Sequence, residues 1–248
     1  MRLTRSRSPS SVPSPPLPNS PFPTGSSGDL AELAATAELA VGLSETMAAL
    51  HRRGWCDGTG GNFSCTLSHQ PLRLLMAPSG VDKGSVSPEA LIVVDGEGRV
   101  IQGSGRASAE TLLHQAIVAE RQAGAVLHTH SQAGTLLSRY HAPAAGEPVS
   151  HLEIEQLEML KGLEGITSHD SRIHIPVLAN DQDLERLSAA ARPHLADAPH
   201  GLLIAGHGLY AWGATLAIAR RHLEILEFLL EQHWRHLLLE ALQRAGRR

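Results

Sequence analysis

The run Ala125–Val126–Leu127 ends in His128–Thr129–His130, and this short stretch constrains the chain more than any other. A strand alternates its side chains with a period of two, so His128 and His130 belong on one side. Two adjacent imidazoles at a strand end make a poor core and a good divalent-metal site. A second apolar run, Leu202–Leu203–Ile204–Ala205, leads into Gly206–His207–Gly208. The glycines there let the backbone turn tightly and let a ligand approach. Strand ends carrying His128, His130 and His207 therefore predict one catalytic metal with an open position. Three neutral ligands leave such an ion its full charge, which suits a Lewis acid acting on a carbonyl oxygen. Zn²⁺ is the expected ion, and Fe²⁺, Co²⁺ or Mn²⁺ could take the same geometry.

The surroundings of these strands predict the fold class. Apolar residues at Leu33, Ala37, Ala40, Leu43, Met47 and Leu50 follow helical spacing, with Gly54 as the stop. Runs at 62–67 and 72–76 are β-like, and 91–95 and 99–102 flank Gly96–Glu97–Gly98 as a hairpin. Further helices are expected over 109–122 with Ser108 as N-cap, over 132–139, over 181–191 with Pro193 beyond the stop, and over 214–239. Strands are expected at 125–130, 173–177, 201–205 and 209–212, with Pro176 marking 173–177 as an edge. The segment around Glu153 and Glu155 reads as a solvated helix face. Hairpins between interspersed helices predict a three-layer α/β/α domain around a mixed, largely antiparallel sheet. A doubly wound nucleotide fold is excluded, because most strands join through hairpins rather than crossovers, and no glycine-rich turn here opens a helix. Gly58–Thr59–Gly60–Gly61 leads into a strand instead, though its backbone N–H groups could still cradle an anion.

With 248 residues the chain is long enough for one sizeable domain. Residues 1–28 are rich in Ser, Pro and Arg and have no acid, so a disordered tail is expected there and a catalytic domain over 29–248. The tail lacks the apolar stretch of a secretory signal. A net charge of −4 gives no reason to expect nucleic acid as a partner. No apolar run reads as a membrane span. Cys56 and Cys65 fit no disulfide framework, which points to a reducing cytoplasm. His51, His69, His169, His233 and His236 read as surface residues.

Two carboxylates compete for proton transfer. Glu110 opens the helix before the metal strand, where the helix dipole favours an acid for purely structural reasons. Glu158 lies in Glu158–Met159–Leu160–Lys161–Gly162, among several other acids. For a phosphate, Asn62, Gly80 and Ser108 offer donors and Lys83 a flexible positive charge.

Several stretches together resemble the class II aldolase/adducin family: Gly61–Asn62–Phe63–Ser64, Pro78–Ser79–Gly80–Val81–Asp82–Lys83–Gly84, Ser108–Ala109–Glu110–Thr111, His128–Thr129–His130–Ser131, Glu158–Met159–Leu160–Lys161–Gly162 and His207 through Gly213. The resemblance runs from about Ala31 into the terminal helix. It is nearest to the branch that dehydrates 5-methylthio-D-ribulose 1-phosphate to the 2,3-diketo-5-methylthiopentyl 1-phosphate in methionine salvage. It implies one Zn²⁺ on His128, His130 and His207, and Glu158 as the dehydratase's acid/base. Glu110 stands where the family's sugar-phosphate aldolases keep their catalytic glutamate, so a ketose-1-phosphate aldolase is the alternative reading. Glu155–Gln156 departs from the Thr–His pair of the dehydratase branch. Adducin-like relatives keep the fold as an interaction module, but that class would lose the histidines that are present here. The resemblance also implies a homotetramer with active sites near subunit boundaries. The many apolar residues of the terminal helix add modest support.

Overall fold

A computed structural model describes residues 27–247, with side chains from 33 onward; the expected tail, 1–28, falls almost wholly outside the described residues. The chain runs α1 (Ser27–Arg52), β1 (Asn62–His69), β2 (Leu72–Met76), β3 (Ile92–Asp95), β4 (Val100–Gln102), α2 (Thr111–Arg121), β5 (Ala125–Thr129), α3 (Gln132–Tyr140), β6 (Val149–Glu155), β7 (Arg172–Leu178), α4 (Leu184–Leu195), β8 (Gly201–Ile204), β9 (Gly208–Gly213) and α5 (Leu216–Ala245). A 3₁₀ turn over Glu158–Gly162 links β6 to β7. The sheet is nine-stranded in the order β4-β3-β2-β1-β5-β9-β8-β7-β6. Only β7 and β8 pair in parallel; the other neighbours are antiparallel.

Side-chain alternation splits the core into two layers. On one face Ala125, Leu127, Cys65, Leu203 and Ala211 pack under α1, α3 and α5. On the other, Leu74, Val126, Leu202, Tyr210 and Trp212 pack under α2 and α4. The fold is thus the expected α/β/α arrangement. The α1 stripe holds at Leu43, Met47 and Leu50, all fully buried, and Gly54 closes the helix at φ +71°. Leu33 lies one turn too early and is exposed. Within α1, Leu33–Arg52 has the length and mean hydropathy (1.2) of a minimal membrane span. The buried Leu43–Met47–Leu50 stripe accounts for that apolarity as core packing.

Three local expectations need correction. Residues 149–155 form strand β6, not a helix: Leu152 and Ile154 are buried while His151, Glu153 and Glu155 face outward, a period of two. Strand β7 is interior, because β6 covers its outer side. Pro176 is tolerated there because only Val177 and Leu178 pair with β8. Helix α4 starts from an Asp183 cap that accepts from the N–H groups of Glu185 and Arg186, and it carries Pro193 inside its last turn.

Candidate metal centre

The sheet register assembles the site. Asn62 of β1 pairs with His128 of β5, and His128 pairs with Tyr210 of β9. Three adjacent strands therefore present Asn62, His128 and Tyr210 in one row on the face covered by α2. The Tyr210 ring stacks on His128 at 3.9 Å between centroids, 10° from parallel. Thr129, the residue between the histidines, points to the opposite face, towards α5. The strand ends at Thr129, and the His130 N–H donates to the Trp55 carbonyl at 2.7 Å. His207 arrives from the β8–β9 turn. Gly208 comes so close to the Thr129 carbonyl that no side chain fits, and Gly206 turns with φ +67°.

His128, His130 and His207 converge. The Nε2 atom of His128 lies 2.8 Å from that of His130 and 3.3 Å from that of His207. His128 is fully buried, and its Nδ1–H donates to the Leu209 carbonyl at 2.9 Å. That bond fixes the tautomer and leaves the Nε2 lone pair facing the other two rings. Burial pushes the His128 and His130 imidazoles below their ordinary pKa, so they stay neutral, as metal ligands must. Ligands about 2.0–2.1 Å from one tetrahedral ion stand ~3.3 Å apart, so this donor set fits a zinc-like ion.

Glu110 is the carboxylate at the triad. Its Oε1 lies 3.0 Å from His207 Nε2 and 3.9 Å from His128 Nε2, and its Oε2 accepts from the Asn62 amide. Burial alone would raise its pKa, but the bond to His207 and the neighbouring imidazoles of His128, His207 and His114 hold it at about 2. The helix start follows from this use of the side chain. Glu110 is itself the N-cap of α2 and makes no side-chain cap. Ser108, expected to be the cap, only accepts from the Glu110 N–H at 3.3 Å.

Glu158 is not brought to the triad within one chain. It sits on the exposed 3₁₀ turn and pairs with Lys161, which holds its carboxyl below the ordinary range. Nor are the phosphate candidates gathered evenly. Gly80 and Ser108 lie on neighbouring loops tied by the Ser79 N–H to the Arg106 carbonyl at 2.8 Å. Asn62 spends its amide on Glu110. Lys83 is not a flexible surface cation: it is buried, donates to the carbonyls of Thr59 (3.0 Å) and Val81 (2.9 Å), and has its pKa lowered by that burial. It thereby anchors the glycine turn. The same turn abuts the triad, since a Cβ on Gly60 would lie 2.8 Å from His130 Nδ1.

Sequence reasoning missed the support on the opposite face. Glu227 of α5 is buried, and its Oε1 accepts from the Thr129 hydroxyl. A glutamate inside an apolar helical stripe was the available signal. His233, read as a surface residue, is in fact half-buried, with its Nε2 enclosed beside His141. Cys56 and Cys65 are free and buried, and burial pushes their thiols up to about 11 and about 12.

The pattern of the Class II Aldolase and Adducin N-terminal domain family matches residues 41–234. A methylthioribulose-1-phosphate dehydratase of Pseudomonas savastanoi is 40% identical over 197 residues, 78% of this chain and 93% of that protein. One of Methylococcus capsulatus is 44% identical over 182 residues, 72% of this chain and 84% of that protein. Among solved structures, an L-fuculose-1-phosphate aldolase from Thermus thermophilus superposes with a TM-score of 0.66 at 25% identity, covering 83% of this chain and 98% of that one.

Proposed function

Since the chain belongs to the class II aldolase and adducin family, we propose that it removes water from 5-methylthio-D-ribulose 1-phosphate, as the names of its relatives indicate for them. The product is the 2,3-diketo-5-methylthiopentyl 1-phosphate, a step of methionine salvage. The observation that carries this reading is the convergence of three imidazoles beside an ionised carboxylate in such a chain. A Zn²⁺ held by His128, His130 and His207 would supply a Lewis acid for the C2 carbonyl and for the negative charge gathering on its oxygen. Glu110, fixed by Asn62, keeps a negative charge beside the three imidazoles and so favours a divalent cation there. Glu158 takes the C3 proton and, once protonated, delivers it to the C4 hydroxyl as that group leaves as water. Gly80 and Ser108 donate to the phosphate, while Lys83 holds the glycine turn and adds positive charge.

Glu158 is exposed in the single chain, so this role needs a neighbouring subunit to bring it to a triad. A homotetramer with sites at subunit boundaries supplies that. Exposed Leu136 and Tyr140 of α3 and Leu238, Leu239 and Leu242 of α5 are apolar surface suited to an interface. Two free buried thiols fit a cytoplasmic location.

Glu158→Gln should keep its zinc and lose nearly all dehydratase turnover. Mixing unfolded and refolded Glu158→Gln chains with His207→Ala chains should restore part of the activity, because some boundaries then pair an intact triad with an intact Glu158. A fully active Glu158→Gln protein refutes the assignment, and no recovery on mixing refutes the shared site. The position of Glu110 favours one second reading, a ketose-1-phosphate aldolase. Dihydroxyacetone phosphate released from a ketose 1-phosphate, with no turnover of the methylthio substrate, would establish it.

A further inference from the structure

Away from the triad, three other metal-capable side chains come together. Glu164 lies just after the 3₁₀ turn, His200 ends the loop between α4 and β8, and His222 sits in the second turn of α5. One ligand atom of each lies within 4.8 Å of the others. His222 is the fixed member. Its side chain is fully buried, and its Nδ1–H donates to the Trp212 carbonyl at 2.8 Å. That bond sets the tautomer and leaves a lone pair on Nε2. This Nε2 has no hydrogen-bond partner among the described residues, although it is enclosed. It faces Glu164 Oε2 at 3.7 Å, and the His200 ring lies alongside at 4.0 Å between centroids. Buried ring nitrogens normally have a partner, so an unpartnered one facing a carboxylate, with a second imidazole stacked beside it, calls for an occupant.

We infer that Glu164, His200 and His222 form a second metal site, separate from the triad, that takes a divalent ion of the Zn²⁺ class. Two imidazoles and one carboxylate are a zinc donor set, with water completing the shell. Ligands on a tetrahedral zinc stand ~3.3 Å apart, and the 3.7 Å already present is close to that. Glu164 is half exposed, and His200, whose Nε2–H donates to the Glu164 carbonyl at 3.1 Å, keeps Nδ1 for an ion beside the fixed His222. The site joins α5, the α4–β8 loop and the segment that follows Glu158–Gly162. An ion there would clamp the turn carrying Glu158 to α5. The inference does not depend on what the triad does.

The test uses the full chain, stripped with a chelator, dialysed to equilibrium against low-micromolar free Zn²⁺ and analysed for metal. His200→Ala and Glu164→Gln should each bind one zinc per chain fewer than the starting protein. Neither residue touches the triad, so these variants keep the ion there. His207→Ala reports on the triad separately, so failure of one site cannot be mistaken for failure of the other. His222→Ala should behave like His200→Ala, but the buried position can perturb folding, so the two accessible variants decide. Equal zinc content in the starting protein, His200→Ala and Glu164→Gln overturns the site, whatever His207→Ala does. As a second readout, zinc should slow amide hydrogen exchange over 158–166 in His207→Ala and not in His207→Ala/His200→Ala. Equal exchange in the two overturns the clamp.

Discussion

Replacing Glu227 with Gln tests the buried support behind the triad strand. Glu227 is 2% exposed. Burial raises its pKa to about 7; the hydroxyls of Ser131 and Thr129 oppose that rise, and the charge of Glu231 adds to it. In the unfolded chain the group titrates near its ordinary value of 4.5. Between these two values the folded state holds a proton that the unfolded state has released. The stability slope with pH is therefore negative there. The contribution is fully present below about pH 4.5, falls as pH rises through about 7, and is flat above. A shift of this size, at about 1.4 kcal/mol per pH unit, corresponds to roughly 3 kcal/mol lost across the window.

Glutamine keeps an oxygen that can accept from Thr129 but cannot ionise. Glu227→Gln should match the parent near pH 5 and exceed its stability by up to about 3 kcal/mol near pH 8. The assay is denaturant unfolding at fixed protein concentration and fixed metal, at several pH values, with the difference between the two proteins plotted against pH. Taking the difference cancels the buried histidines, whose depressed pKa values act in the opposite direction, losing stability as pH falls. A difference that does not change between pH 5 and 8 would show that the carboxyl is not held neutral by its burial, and the argument would fail.

Two other outcomes follow from packing. Gly208→Ala would push a Cβ into the Thr129 carbonyl and to 3.2 Å from His128 Cε1, so metal content measured by elemental analysis should fall along with about 1–3 kcal/mol of stability. Leu226→Ala, at a fully buried position of α5, should cost about 2–5 kcal/mol in denaturant unfolding while leaving metal content unchanged.

The sequence made the scaffold legible where local patterns coincide with burial. The α1 stripe, the hairpins and the two histidine-bearing strand ends are all short-range signals, and each strand or helix they announce is present. It misled where one pattern served two structures. In His151–Leu152–Glu153–Ile154–Glu155 the acids suggested a helix face, yet the buried Leu152 and Ile154 alternate strictly with exposed neighbours. Pro176 looked like an edge marker because the parallel pairing that spares it depends on where the pairing with β8 begins, which no local signal records.

The site divides in the same way. That His128 and His130 share a side was readable from a period of two. That Asn62, His128 and Tyr210 form one row was not, because it depends on the register of three strands far apart in the chain. The same register puts one of the two carboxylates beside the triad. Glu110 faces the triad because α2 starts beside that row, and Asn62 orients it there. Glu158, the carboxylate that the family resemblance favours, is left on the surface with Lys161 as its partner. Under the proposed mechanism, an exposed Glu158 leaves the site of a single chain without its acid/base. If Glu158 acts at a neighbouring triad, assembly and catalysis are one requirement. Dilution below the dissociation point should then abolish turnover while the histidines still hold their ion.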